Sequence, residues 1–248
     1  MNNFKNLFAS IKKRYLILLR NGFSVETVYG CKWLIDWSNN IDKKLSSKSF
    51  EDSEIRFLIQ QVKSINPNYF LDIGAHAGLY SIIIKNNFPD ITIFSFEPDR
   101  QNRYQFLGNL FLNKLENKIE IFDIGLSNQD KEVFFGFRKD AQGKRGGKAI
   151  QSNGNDKIKV NKLDNILSLE NNCCFIKIDV EGHEKEVALG ARKFLSCNKC
   201  LVQVELWDEK SFNSFKKIIT GLNYNLLIKK DNSQNCYFTN INKPLFNF

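Results

Sequence analysis

Tyr69-Phe70-Leu71-Asp72-Ile73-Gly74-Ala75-His76-Ala77-Gly78-Leu79-Tyr80 is the stretch on which the fold turns. A five-residue apolar run ends at a glycine-containing turn, and from Leu79 to Phe88 the spacing becomes helical. Short apolar runs of this kind suit strands buried on both faces. The unit repeats at once, with a strand expected at Ile91–Phe96 and a helix at Asp99–Asn113. Strand alternating with helix implies a parallel sheet with crossover helices.

Outward from there, a third strand is expected at Lys118–Ile124 and an extra strand at Glu132–Phe137, followed by a glycine- and lysine-rich loop over Ala141–Asn155. Cys174–Ile178 reads as a fourth buried strand, with a helix over Lys185–Leu195. Leu201–Leu206 reads as a fifth strand and Lys210–Thr220 as a helix, and Asn225–Ile228 with Cys236–Thr239 reads as a closing antiparallel pair. Toward the N-terminus, Phe50–Ser64 reads as a helix and Val25–Trp37 as short strands. The expected architecture is α/β, a doubly wound seven-stranded sheet over residues 50–248, carrying an N-terminal helical and short-strand extension over residues 1–49.

The 248 residues are 42% apolar and 25% charged, ordinary for a globular chain, so disorder and fibrous architectures are excluded. The net charge of +9 is local. Residues 1–50 hold nine Lys or Arg against three acids, and residues 138–148 hold five against Asp140, which leaves the rest nearly neutral. A nucleic-acid binder usually spreads its charge over a face, so no nucleic acid is expected as partner. Residues 1–20 place Phe4, Leu7, Phe8, Ile11, Tyr15 and Leu18 at helical intervals among lysines, a basic amphipathic helix suited to a homo-oligomer or peripheral membrane contact. The apolar run Tyr15–Leu19 is too short for a span or a secretory signal, and a cytoplasmic protein is expected. Six cysteines offer one ligand-like interval, Cys197 to Cys200, with no second pair, which argues against structural zinc.

In doubly wound sheets ligands bind at the carboxyl ends of the strands, which directs attention to the Gly74 turn. Gly74 and Gly78 are expected to let the backbone approach a ligand closely. The dinucleotide fingerprint would need glycine at the positions of Gly74, His76 and Leu79, and two of the three fail. No Gly-Lys-Ser or Gly-Lys-Thr follows, so a phosphate-cradling loop is excluded too. The second strand ends in Phe96-Glu97-Pro98-Asp99, and Glu97 there could take both hydroxyls of a ribose. Combined with the Asp-x-Gly-x-x-x-Gly turn, that carboxylate points to adenosine without a pyrophosphate, and S-adenosyl-L-methionine is the cofactor inferred.

These residues resemble the FkbM-type methyltransferases of the class I, Rossmann-like, S-adenosylmethionine-dependent fold. The resemblance rests on Leu71-Asp72-Ile73-Gly74-Ala75-His76-Ala77-Gly78, Phe94-Ser95-Phe96-Glu97-Pro98, Gly125-Leu126-Ser127, Val160-Asn161-Lys162-Leu163-Asp164 and Ile176-Lys177-Ile178-Asp179-Val180-Glu181-Gly182-His183-Glu184 with Gly190-Ala191. It implies a seven-stranded sheet with an antiparallel last hairpin, methyl transfer to oxygen, and acceptors that are often sugars or other secondary metabolites. The family commonly has Asn where this chain has His76. The cofactor-binding set is Asp72, Gly74, Ala75, His76, Gly78, Glu97 and Pro98, with Asp123 and Asp179 at the ends of the third and fourth strands.

Methyl transfer to a hydroxyl needs an acceptor aligned with the methyl group and a group to remove its proton. Asp179, Glu181 and His183 are the candidate catalytic residues. No metal site is assigned, a divalent ion held by Asp179, Glu181 and Glu205 being the alternative use of those carboxylates. The five cations of residues 138–148 suggest an anionic acceptor, such as a nucleotide- or lipid-linked sugar. The rival readings are an RNA methyltransferase and a non-catalytic scaffold of the same fold.

Overall fold

The computed structural model describes residues 22–47, 51–139, 147–229 and 234–241, together with positions 11 and 14. The amphipathic helix expected over residues 1–20 lies outside them, except that Ile11 and Arg14 are helical and exposed.

Seven strands form the main sheet: β3 (Tyr69–Ile73), β4 (Thr92–Phe96), β5 (Glu120–Phe122), β10 (Cys173–Ile178), β11 (Lys199–Glu205), β12 (Asn225–Lys229) and β13 (Asn235–Thr239). Their order is β12-β13-β11-β10-β3-β4-β5, parallel throughout except for β13, which runs antiparallel to both neighbours. The arrangement matches the seven-stranded sheet and closing antiparallel hairpin expected from sequence.

Successive side chains of a strand point to opposite faces, and the core divides accordingly. Phe70, Ile93, Phe175 and Leu201 pack under α2 (Asp52–Ile65), α3 (Leu79–Asn87) and α4 (Arg100–Asn113). Leu71, Phe96, Ile176 and Val202 pack under α6 (Glu184–Gly190), α7 (Arg192–Cys197) and α8 (Glu209–Thr220). Asp99 starts α4, its carboxylate accepting from the backbone N–H groups of Gln101 (2.8 Å) and Asn102 (3.0 Å).

The extension is a hairpin, β1 (Phe23–Val28) with β2 (Cys31–Asp36), followed by α1 (Asn40–Ser46). It packs on the first core, with Trp33 and Ile35 buried. Side-chain amides of α4 hold β2 in place: Leu34 N–H donates to Asn109 Oδ1, and Gln105 Nε2 donates to the Leu34 carbonyl, both at 2.8 Å.

Two expectations are corrected. The loop expected over 141–155 contains a strand, β8 (Lys148–Ile150), which joins β6 (Gly125–Leu126), β7 (Lys131–Phe137) and β9 (Asp156–Asn161) in a second sheet of order β6-β9-β7-β8. Only β7 was expected. Short strands with three inward residues, Phe135, Ile158 and Val160, carry too little apolar pattern to read. The single helix expected over 185–195 is two, broken at Ala191. Asp164, in the short helix α5 (Leu163–Ile166), accepts from the backbone N–H groups of Lys193 (2.9 Å) and Phe194 (2.8 Å), which anchors the start of α7 separately.

Candidate active site

The strand order reverses direction between β3 and β10, and a cavity of about 310 Å³ opens there at the strands' carboxyl ends. Gly74, Ala75 and His76 of the first turn, Glu97 and Pro98 after β4, and Asp179 and Glu181 after β10 line it. Trp33, Leu34, Ile41 and Leu45 of the extension wall one side, and Phe135, Ile150 and Ile158 of the second sheet wall another. Neither wall was read from sequence, because no local pattern says what a distant segment will cover.

The protein's own packing also constrains both glycines. Gly74 has φ +85, and a Cβ there would fall inside the carbonyl oxygen of Asp179. Gly78 has φ +82, its Cβ would fall inside the Phe106 ring, and it does not line the cavity. Both are glycine so that the turn can pack against the protein itself. His76 also sits in the left-handed region, φ 51, where Asn and His are the better tolerated side chains. The departure from the family's usual Asn is therefore conformationally mild.

Glu97 is buried beside this turn and accepts from the backbone N–H groups of His76 and Asp99, each at 2.7 Å. Burial outweighs those bonds and pushes its carboxyl up to about 7. Asp72 is buried one residue before the strand end and does not line the cavity. It accepts from Ser81 N–H (3.1 Å) and Ser81 Oγ (2.6 Å), so it braces the start of α3. Asp123 is exposed after β5 and is not among the lining residues.

Lining the same cavity is a buried cation that sequence reasoning passed over. Lys177, in register with Asp72 on β3 and Gln203 on β11, is 5% exposed. Its Nζ is 3.0 Å from Asp179 and 4.5 Å from the Tyr80 ring centroid. The Tyr80 hydroxyl donates to Glu51 at the start of α2. Despite burial, Asp179, Asp72 and Glu51 hold the Lys177 ammonium charged, its pKa raised above the usual lysine value. A lysine inside an apolar strand run, opposite an aspartate of the neighbouring strand, was the available signal.

Burial alone would raise Asp179; the Lys177 ammonium outweighs it and holds the carboxyl below the usual range. Glu205, at the end of β11, hydrogen-bonds to Asp179 and is pushed up to about 9, by burial first and the Asp179 charge second. Glu181, with φ 60, pairs with Arg138, whose guanidinium lies 4.0 Å from the centroid of the Trp207 ring. His183 lines the cavity with its Nε2 2.9 Å from Ser127 Oγ. Burial lowers its pKa, against the pull of Glu186.

The three candidate catalytic residues thus meet in one cavity, two of them already engaged by Arg138 and Ser127. Of the expected cationic loop, Lys148 is paired with Asp99 (2.6 Å) and Asp156 (3.1 Å), while Lys144 and Arg145 lie outside the described residues. Among the described residues no group of three or more His, Cys, Asp or Glu is placed to hold a metal. None of their helices is long and apolar enough to cross a membrane.

Three comparisons with known proteins bear on this site. The family model for the methyltransferase FkbM domain matches residues 72–226. The crystal structure of methyltransferase FkbM from Methylobacillus flagellatus superposes with a TM-score of 0.52 at 19% identity, covering 70% of this chain and 44% of that one, and shows the shared fold. AMB antimetabolite synthetase AmbE of Pseudomonas aeruginosa is 35% identical over 65 residues, 26% of this chain and 3% of that protein. The chain spans less than half the length of either relative. Because the family match runs through the first turn, the Glu97 strand end and Asp179 alike, the chain belongs to the FkbM family of methyltransferases.

Proposed function

We propose that the protein methylates a hydroxyl oxygen of a sugar, glycan or secondary-metabolite acceptor, with S-adenosylmethionine as methyl donor. Family membership implies that donor, and the residues present fit it. Glu97 is a buried carboxyl whose desolvation its backbone donors do not meet, and a pair of ribose hydroxyls would supply the missing donors. Gly74, Ala75 and His76 would present their backbone to the same ligand, and Asp179 would face its positive charge. When bound, S-adenosylmethionine supplies a methyl group on a cationic sulfur that needs no further activation.

The observation that carries transfer to oxygen is the carboxyl pair Asp179–Glu205 in the cavity. A hydroxyl must lose its proton during methylation, and a positioned carboxylate can supply about 10²- to 10⁴-fold by taking it. Arg138 on the face of Trp207, which is 39% exposed, is suited to an acceptor with an anionic group beside a sugar ring. Glu181 holds Arg138 until such a group takes its place.

The test is methyl transfer from labelled S-adenosylmethionine to a panel of nucleotide sugars, lipid-linked sugars, uncharged glycosides and RNA, with mass mapping of the product. An O-methyl group on a sugar acceptor, with charged sugars preferred, is expected. Methylation of a nitrogen, or of RNA alone, would overturn the reading.

A further inference from the structure

Glu205 directly follows Val204, the register partner of Ile178, so it lies level with Asp179 at the strand ends, and both residues line the cavity. Two carboxyls in hydrogen-bond contact share one proton, and their surroundings decide its place. From β10, Lys177 lies 3.0 Å from Asp179 and keeps the negative charge there. From the segment after β10, Glu181 adds a second negative charge toward Glu205. From β13, the facing residue is the neutral Asn235, which accepts from Gln203 Nε2 at 3.0 Å. Glu205 therefore keeps the proton at pH 7.

Resting on the reading of this cavity as a sulfonium-cofactor site, we propose that Glu205 is the proton acceptor of the methyl transfer, and that it becomes a carboxylate only when a sulfonium cation occupies the cavity. An opposite charge nearby favours the ionised form of an acid. The neutral sulfur of the product form, S-adenosylhomocysteine, exerts no such pull. In the transfer the acceptor's O–H bond breaks and its proton passes to a Glu205 carboxylate oxygen. The electron pair left on the acceptor oxygen forms the new bond to carbon, while the pair of the carbon–sulfur bond stays on sulfur. Charge is then gone from sulfur, and Glu205 holds its proton as it did before. The proton it sheds to solvent when the next sulfonium binds is the one the overall reaction releases. Such an arrangement withholds a strong base from the site until the donor is present.

The test is isothermal calorimetry of the full chain at pH 7 with S-adenosylmethionine and with S-adenosylhomocysteine, each in two buffers of different ionisation enthalpy. The proposal expects release of close to one proton more with the sulfonium form than with the thioether form, and loss of that difference in Glu205→Gln while both ligands still bind. Equal proton release with both ligands in the wild-type protein, which needs no variant, overturns it. So does a difference that survives in Glu205→Gln. If neither ligand binds the wild-type protein, the cofactor reading fails and takes this proposal with it. Binding of both with no difference sinks the proposal alone.

Discussion

Gly74 and Asp179 touch backbone to backbone: a Cβ on Gly74 would occupy the position of the Asp179 carbonyl oxygen. Asp179 N–H in turn donates to the Ile73 carbonyl at 2.9 Å. The first turn and the end of β10 are therefore one mechanical unit, and the cavity floor keeps its shape only while both halves stay in contact.

Gly74→Ala should break that unit. It adds a side chain where there is no space and at a φ of +85, so a loss of about 2 kcal/mol or more is expected. For a chain of this size that corresponds to a melting temperature lower by roughly 4–8 °C. Thermal melts with and without S-adenosylmethionine check it. A variant that melts like the wild type and binds the ligand as well would show that the turn has slack.

Lys177→Met should leave Asp72 and Asp179 buried without their counter-charge. Removing one partner of a buried ion pair costs about 3–5 kcal/mol. The orphaned carboxylates can protonate in acid, so the loss read from urea denaturation should be smaller at pH 5 than at pH 8. A loss independent of pH would point to packing instead of charge.

Stability should fall as pH rises from about 4.5 to 9. Burial raises the carboxyls of Glu97 and Glu184 to about 7 and Glu205 to about 9. An acid raised on folding contributes stability that is full below its unfolded pKa and is lost as pH passes the folded one. Asp99 and Asp179 are lowered instead, so they are ionised throughout this window and add no slope. Glu97→Gln should flatten the part of the fall between about pH 4.5 and 7, measured by chemical denaturation across pH.

Asn109→Leu should loosen hairpin and turn together. Its Oδ1 accepts from Leu34 N–H at 2.8 Å and its Nδ2 donates to the Ala77 carbonyl at 2.9 Å. Two half-buried backbone groups would lose their partner, at about 1 kcal/mol each. Faster hydrogen exchange at Leu34, with weaker binding of S-adenosylmethionine, is the expected result. Unchanged exchange would assign Asn109 to α4 alone.

The readable parts of this protein were those whose signal is local. Tyr69–Ile73 reads as a strand because four consecutive residues, Phe70–Ile73, are buried in a parallel sheet, and the start of α4 reads because Asp99 caps it two residues after Glu97. Lys177 escaped because its meaning lies in the neighbouring strand, opposite Asp72. Glu205 was legible as an acid near a strand end, but only the adjacency of β10 and β11 makes it the partner of Asp179. Arg138 and Trp207, 69 residues apart, offer no pattern at all before the chain folds.

Sequence by itself determined the alternation of strand and helix, the glycine turn followed by an acid on the next strand, and with them the class of chemistry. These follow from hydrophobic period and backbone freedom, properties of a residue and its near neighbours. Tertiary structure decided why Gly74 and Gly78 must be glycine, which side chains wall the cavity, and that Asp179 and Glu205 end adjacent strands in it. Contact and electrostatic energies depend on distance in space, and that distance is set only when β3, β10 and β11 lie side by side.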